Sequence, residues 1–303
     1  MLIDTHAHIQ FQGFDADRGA VMKRCQEKGM ILNLVGTQKD TSRRAVELAE
    51  QYDWMYASIA IHPIHLHASH VDEEESHFVS REEGFDENFF DTLAKSKKVI
   101  AVGECGLDLW HIPKDIPKEV VLAKQRQVFL AHIRFAQKHN LPLAIHCREA
   151  HDEMIQLLVE NHKSKIIHHK SSSQTNPTMV EEVKSLKSEV RGVIHCYTSD
   201  WKHAEQYLDL GMYLGFTGVI TFPPKKLDSK PQLDLLEVIE KIPLDRMVVE
   251  TDCPYLAPQA YRGQRSEPWM VEEVIKKIAE VKKLPCDLVE KQIEINTRTL
   301  FGL

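Results

Sequence analysis

The sequence of 303 residues contains no long hydrophobic run. No stretch reaches the roughly 18 consecutive apolar residues that a membrane span needs, so a transmembrane segment is excluded. The N-terminus lacks the basic and apolar regions of a signal peptide and starts in strand-like sequence, so a cytoplasmic location is expected. CxxC pairs are missing too. The six cysteines (Cys25, Cys105, Cys147, Cys196, Cys253 and Cys286) are scattered, which excludes a zinc knuckle or a thioredoxin-type motif. Without a secretion signal, disulfides are not expected. No GxGxxG follows the first apolar run, which counts against an open dinucleotide-binding sheet. Nor is the chain basic: its net charge is −7 and its pI is near 6.2. Proteins that grip long nucleic acid through a broad basic face usually are basic, so that class is disfavoured. A nuclease that holds phosphate through metal ions is not excluded, because the ions supply positive charge locally. The remaining composition, 43% hydrophobic and 27% charged, is that of an ordinary soluble globular protein. Nothing in it calls for an obligate protein partner.

What is present is an alternation. Short apolar runs at 2–8, 30–35, 55–61, 99–104, 143–146, 190–195, 212–216 and 247–251 read as strands. Between them lie stretches with apolar residues at three- and four-residue spacing. The longest, Lys118–His139, carries Val121, Leu122, Val128, Phe129 and Ile133. Asp200 is placed to cap a helix that stops at Gly211, and Asn176-Pro177 reads as a cap and first-turn proline. Eight strands alternating with helices require parallel pairing, and at this length they predict a (β/α)₈ TIM barrel. The whole chain, 1–303, reads as a single barrel domain with insertions at about 64–91 and 163–188. One internal echo stands out: Ala144-Ile145-His146-Cys147 resembles Val193-Ile194-His195-Cys196.

The strand ends carry the chemistry. The first run ends in Asp4-Thr5-His6-Ala7-His8, where His6 and His8 share one face because side chains alternate along a strand. Two imidazoles so placed can grip a divalent metal. The later runs end at His62-Pro63, Glu104, His146, His195 and Glu250-Thr251-Asp252. Active sites of such barrels lie at the C-terminal ends of the strands. Metal-ligand residue types therefore recur at one end of the barrel, which is a far stronger signal than His-x-His alone. Cys105, Cys147, Cys196 and Cys253 follow or adjoin these residues immediately. Alternation turns them outward, toward the helices, as small buried hydrophobes rather than ligands. Four neutral imidazoles and two carboxylates carry −2, so two divalent cations would leave a net +2, which suits a phosphodiester anion and a hydroxide. Such a pair can activate water and stabilise charge at phosphorus. Glu104 has two oxygens with which to bridge, and Asp252 can ligate and accept a proton as the catalytic base.

At this point a family is legible. The chain resembles the TatD-like metal-dependent hydrolases, described as Mg-dependent deoxyribonucleases. The resemblance runs from end to end, through Asp4–His8, Ile61-His62-Pro63, Gly103–Asp108, His146-Cys147-Arg148, His195–Thr198, Thr217–Phe222, Glu250–Pro254, Glu267-Pro268 and Asn296-Thr297-Arg298, in family order. It implies a TIM barrel of the amidohydrolase superfamily, with a two-metal centre of His6, His8, Glu104, His146, His195 and Asp252. Glu104 stands where many superfamily relatives use a carboxylated lysine. The stretch Arg262–Glu267 and the two insertions depart from the pattern and bear on substrate choice. The four histidines favour Zn, Mn, Fe or Co over Mg.

Further residues admit two readings each. His62 reads as an outer residue supporting the ligands or as a ligand itself. Asp108 suits orienting a ligand histidine, or a turn after Gly106. Arg148 suits a phosphate clamp or a salt bridge at a helix start. Trp110 and Tyr197 suit stacking on a base or plain packing. The acid-rich segment 64–91, with Arg81 as its one Lys or Arg, leaves the barrel on the active-site face. It reads as a partial lid that repels long polyanions within a Debye length of about 8 Å, or as a solvated insertion. The expected activity is phosphodiester hydrolysis in DNA, on ends or short or single strands, by metal-activated hydroxide. The alternatives are hydrolysis of an ester or amide, such as an aminoacyl-tRNA ester, and a metal-stabilised scaffold without turnover.

Overall fold

The computed structural model describes residues 1–73, 76–80, 82–170 and 190–303. Its strands are β1 (Ile3–Ala7), β2 (Ile31–Val35), β3 (Met55–Ser58), β4 (Ser69–Glu73), β5 (Ser76–Ser80), β6 (Val99–Asp108), β7 (Leu143–Arg148), β8 (Gly192–Ile194), β9 (Tyr213–Phe216) and β10 (Met247–Val249). All but β4 and β5 form one parallel sheet in the order β1-β2-β3-β6-β7-β8-β9-β10. The seam closes at the mouth. Ala7 bridges Cys253, the His8 amide donates to the Cys253 carbonyl at 2.9 Å, and the Asp252 amide donates to the His6 carbonyl at 2.9 Å. The result is the TIM barrel expected from the alternation. β4 and β5 form a separate antiparallel hairpin inside the 64–91 segment.

The helices are α1 (Arg18–Glu27), α2 (Lys39–Ala49), α3 (Glu87–Leu93), α4 (Lys118–His139), α5 (His151–Lys170), α6 (Trp201–Asp209), α7 (Lys230–Lys241), α8 (Val271–Lys282) and α9 (Cys286–Phe301). α4 has the expected bounds and ends at Asn140 in the left-handed region. Asp200 caps α6 by accepting the His203 amide at 3.0 Å, and Gly211, with φ +79°, lets the chain turn out of that helix. Asn176-Pro177 lies outside the described residues, as does 171–188 of the second expected insertion; residues 163–170 belong to α5. Among the described residues no helix is long and apolar enough to cross a membrane.

The strand ends that depart most from the sequence pattern are those of β3 and β6. β3 stops at Ser58; Ile59 still donates to the Ala101 carbonyl at 3.3 Å, and beyond it the chain bonds to helix side chains. The Ala60 amide donates to Ser42 Oγ on α2, and the Ile61 amide donates to His132 Nε2 on α4, at 3.2 Å. β6 runs on to Asp108 because it keeps pairing with β7, ending at Asp108 opposite Arg148. Period two organises the interior: Ala144 sits two residues before His146, Val193 before His195, and Val248 before Glu250. These three apolar residues form one buried cluster with Leu300 and Phe301 of α9. The polar residues therefore stand on an apolar floor, at the mouth.

The 64–91 segment is tied to the barrel by its own acids. Glu82 pairs with Lys124 at 2.7 Å and Glu87 with Lys138 at 2.8 Å, while Glu83 and Asp86 both approach Lys39. Part of its negative charge is thus neutralised by lysines of α2 and α4.

Candidate metal centre

Glu104 is the hub. Its Oε1 lies 2.8 Å from His146 Nδ1, 3.3 Å from His62 Nε2 and 3.7 Å from His195 Nε2; its Oε2 lies 3.3 Å from His6 Nε2. Burial pushes this carboxyl's pKa up, but the charges of His62, His195 and His6 and the bond from His146 outweigh it. The net result lies well below the usual carboxylate range. Asp252 forms the second pole. Its Oδ1 is 3.2 Å from His8 Nε2 and 3.8 Å from His6 Nε2, and its Oδ2 is 3.8 Å from His195 Nε2. Burial opposes ionisation here as well, yet His195 and the bond to His8 hold the pKa below its ordinary value. His6 stacks on His195 with ring centroids 3.6 Å apart.

Three of these histidines meet a further partner through their other ring nitrogen. His8 Nδ1 donates to the Val35 carbonyl at 2.7 Å, which turns Nε2 toward Asp252. His195 Nδ1 lies 3.0 Å from Glu250 Oε1, which also accepts the Cys196 amide. His146 Nε2 lies 3.0 Å from Asp108 Oδ2. Burial lowers the affinity of both histidines for a proton, but their carboxylate partners more than reverse it. His146 is raised to about 9 and His195 to about 10. Asp108, bonded by His111 and His146, lies well below its usual range despite its burial.

The structure thus brings together all six residues expected from sequence. It also places His62 as close to Glu104 as His6 is. Three groups hold their ligand atoms within 4.8 Å of one another: His6-Glu104-His195, His6-His8-Asp252 and His62-Glu104-His146. Among the described residues none of these groups contains a cysteine. Burial pushes the Cys147 thiol up to about 12 and raises those of Cys105, Cys196 and Cys253 further above the usual range, so all four remain thiols. The donor set of imidazoles and carboxylates, with His6 Nε2 buried and lacking a hydrogen-bond partner, fits borderline divalent metals. Arg148 ends β7 two residues beyond His146, its guanidinium 5.2 Å from the Trp110 ring. Tyr197 is buried and packs against Tyr207, its hydroxyl donating to the Asp200 carbonyl, so of its two readings it takes packing.

Two supporting carboxylates escaped the sequence reading. Glu250 orients His195. Asp4 accepts the His6 amide at 3.2 Å and the Thr251 amide and hydroxyl, tying β1 to the strand end after β10; burial raises its pKa to about 8. Each lies two residues before a chosen ligand, on the same face, so strand periodicity was the available signal. Glu250 has room only because residue 215 is glycine: a Cβ there would sit 2.6 Å from its Oε1.

Comparison with known proteins agrees with this architecture. The family model described as TatD related DNase matches residues 3–302. An uncharacterized metal-dependent hydrolase, YabD of Bacillus subtilis, is 33% identical over the full length of both chains. The 3′-5′ ssDNA/RNA exonuclease TatD of Erwinia amylovora is 30% identical, again over the full length of both. The crystal structure of YjjV, a TatD homologue from Escherichia coli, superposes with a TM-score of 0.75 at 25% identity, covering 100% of this chain and 98% of the other. A hydrolase scaffold with its histidines and carboxylates gathered at the barrel mouth, matched by the family model from end to end, belongs to the TatD related DNase family.

Proposed function

We propose that this hydrolase cleaves phosphodiester bonds in DNA, preferring ends and short or single strands, and that it does so with two divalent metals. His6, His8, Glu104, His146, His195 and Asp252 would hold the metals. The observation that carries the reading is the position of Glu104. Its two oxygens face different histidines, Oε2 toward His6 and Oε1 toward His62, His146 and His195, which suits one carboxylate shared between two ions. When bound, such ions lower the pKa of water and stabilise charge developing on phosphate oxygens. Asp252 is ionised and lies nearer the surface than Glu104, so its carboxylate is available to take the proton of the attacking water. The Val35 carbonyl behind His8 and the Glu250 carboxylate behind His195 leave Nε2 of each ring directed inward. His62 and Asp108 flank the Glu104–His146 edge, and Arg148, two residues beyond His146 on β7, would meet a phosphate oxygen. Full-length relatives named as ssDNA/RNA exonucleases support a nucleic-acid substrate.

The test strips metal from purified protein and restores Zn, Mn, Fe, Co or Mg singly. Each form is assayed on a short single-stranded oligonucleotide, a long duplex and an aminoacyl ester. Metal-dependent cleavage of the single strand, faster than of the duplex, is expected. Turnover confined to the aminoacyl ester, or metal binding without turnover of any substrate, would overturn the reading.

A further inference from the structure

Among the described residues, Trp110 is the only exposed aromatic side chain; 61% of its surface is open. Its place is fixed. The Trp110 and His111 amides donate to Asp108 Oδ1 at 2.9 and 2.8 Å, while Asp108 Oδ2 lies 3.0 Å from His146 Nε2. One carboxylate therefore holds both a histidine of the metal centre and the backbone of the exposed indole. The strand end beneath is clamped by Gln125 of α4, which accepts the Asp108 amide and donates to its carbonyl. Arg148 lies opposite Asp108 on β7, two residues beyond His146, with its guanidinium 5.2 Å from the indole centroid.

We propose that Trp110 and Arg148 form a stacking platform for a nucleobase neighbouring the phosphate held at the metal centre. The proposal rests on the phosphodiesterase reading above. An indole face takes any base, and a guanidinium beside it adds cation–π attraction and a contact for phosphate. The class of ligand that uses both at once carries a flat π ring and an anionic phosphate, as a nucleotide does. Stacking also gives this chain, with its net charge of −7, a way to hold nucleic acid without a broad basic face. A base inside a duplex is already stacked and paired, so the platform selects unpaired ends.

The probe is a short single-stranded phosphorothioate oligonucleotide, compared with one whose terminal nucleotides are abasic. Binding to the full-length metal-loaded protein is followed by tryptophan quenching and anisotropy, for wild type, Trp110→Ala and Trp110→Phe. Hydrolysis of the matching phosphodiester oligonucleotides is measured in parallel. Stacking of one base predicts that Trp110→Ala raises Kd about ten- to hundred-fold, with a smaller rise for Trp110→Phe. Wild type should bind the abasic probe about as weakly as Trp110→Ala binds the intact one. If wild type cleaves intact and abasic substrates with equal KM and Trp110→Ala binds normally, the platform falls while the phosphodiesterase reading stands. Base-dependent binding that is lost in Trp110→Ala, without cleavage under any metal, would keep the platform and overturn that reading. Absence of both binding and cleavage overturns both.

Discussion

The echoed segments Ala144–Cys147 and Val193–Cys196 lie on adjacent parallel strands, in register at Ala144 opposite Val193 and Ile145 opposite Ile194. Up to their histidines they are equivalent; beyond that point they diverge. His146 contacts carboxylates through both nitrogens, Glu104 through Nδ1 and Asp108 through Nε2, and β7 continues past it. His195 turns its Nδ1 to Glu250 and its Nε2 toward both Glu104 and Asp252, and the chain breaks at Cys196, with φ +45°. The same four-residue pattern thus supplies the same kind of donor on adjacent strands. The neighbouring strands decide which nitrogen faces inward and which carboxylate holds the other.

The largest test of this contrast removes the pole that only the second copy meets. Asp252→Asn should keep the fold and lower kcat by about 10²–10⁴-fold, because an amide cannot take up the proton. Steady-state kinetics with metal content measured on the same samples checks it. A rate near that of wild type would remove Asp252 from the proton step.

A smaller effect is expected one layer out, where each copy has its own support. On the proposed two-metal reading, Glu250→Gln should weaken metal binding on the His195 side and Asp108→Asn on the His146 side, each by about 10–100-fold in affinity. Gly215→Ala should resemble Glu250→Gln although it alters no ligand, since its Cβ would displace the Glu250 carboxylate. Titration calorimetry of metal-free protein distinguishes these outcomes. Gly215→Ala with unchanged metal affinity would show that Glu250 has room to move.

The effect smallest per pH unit contrasts both copies with His132, a buried histidine that no carboxylate faces. Burial drives its pKa down to about 3, against about 9 for His146 and about 10 for His195. The unfolded chain binds a proton at His132 below about pH 6.5, which the folded chain refuses until about pH 3. Stability should therefore fall as pH drops through that window, by up to about 1.4 kcal/mol per pH unit. His132→Leu should cost about 1–3 kcal/mol at pH 8, because the Ile61 amide loses its acceptor, and should flatten the acid slope by one proton. Urea unfolding across pH measures both. An unchanged slope would place the acid sensitivity elsewhere.

How much was legible follows from what each signal depends on. Apolar alternation located all eight barrel strands and the bounds of α4, since burial on a sheet or a helix face imposes a period that the chain itself displays. The same period placed His6, His8, Glu104, His146, His195 and Asp252 at one end of the barrel, and the structure brings them within reach of one another. The finer strand ends were not legible. β3 does not run on to Ile61 because Ser42 and His132, on two different helices, take the amides of Ala60 and Ile61. Likewise Glu250 and Asp4 share a face with chosen ligands, but which side chain points at a metal and which at a histidine depends on distances across strands. The exposure of Trp110 and the burial of Tyr197 had no local signature either.

The sequence by itself determined the elements and the donor types, because propensity, period two and residue chemistry are properties of the chain. The tertiary structure decided the pairing of His195 with Glu250 and of His146 with Asp108, the closeness of His62 to Glu104, and the space above Gly215. Each of these is a contact between residues 35 or more positions apart. No local window contains both partners, and only closure of the barrel brings them together.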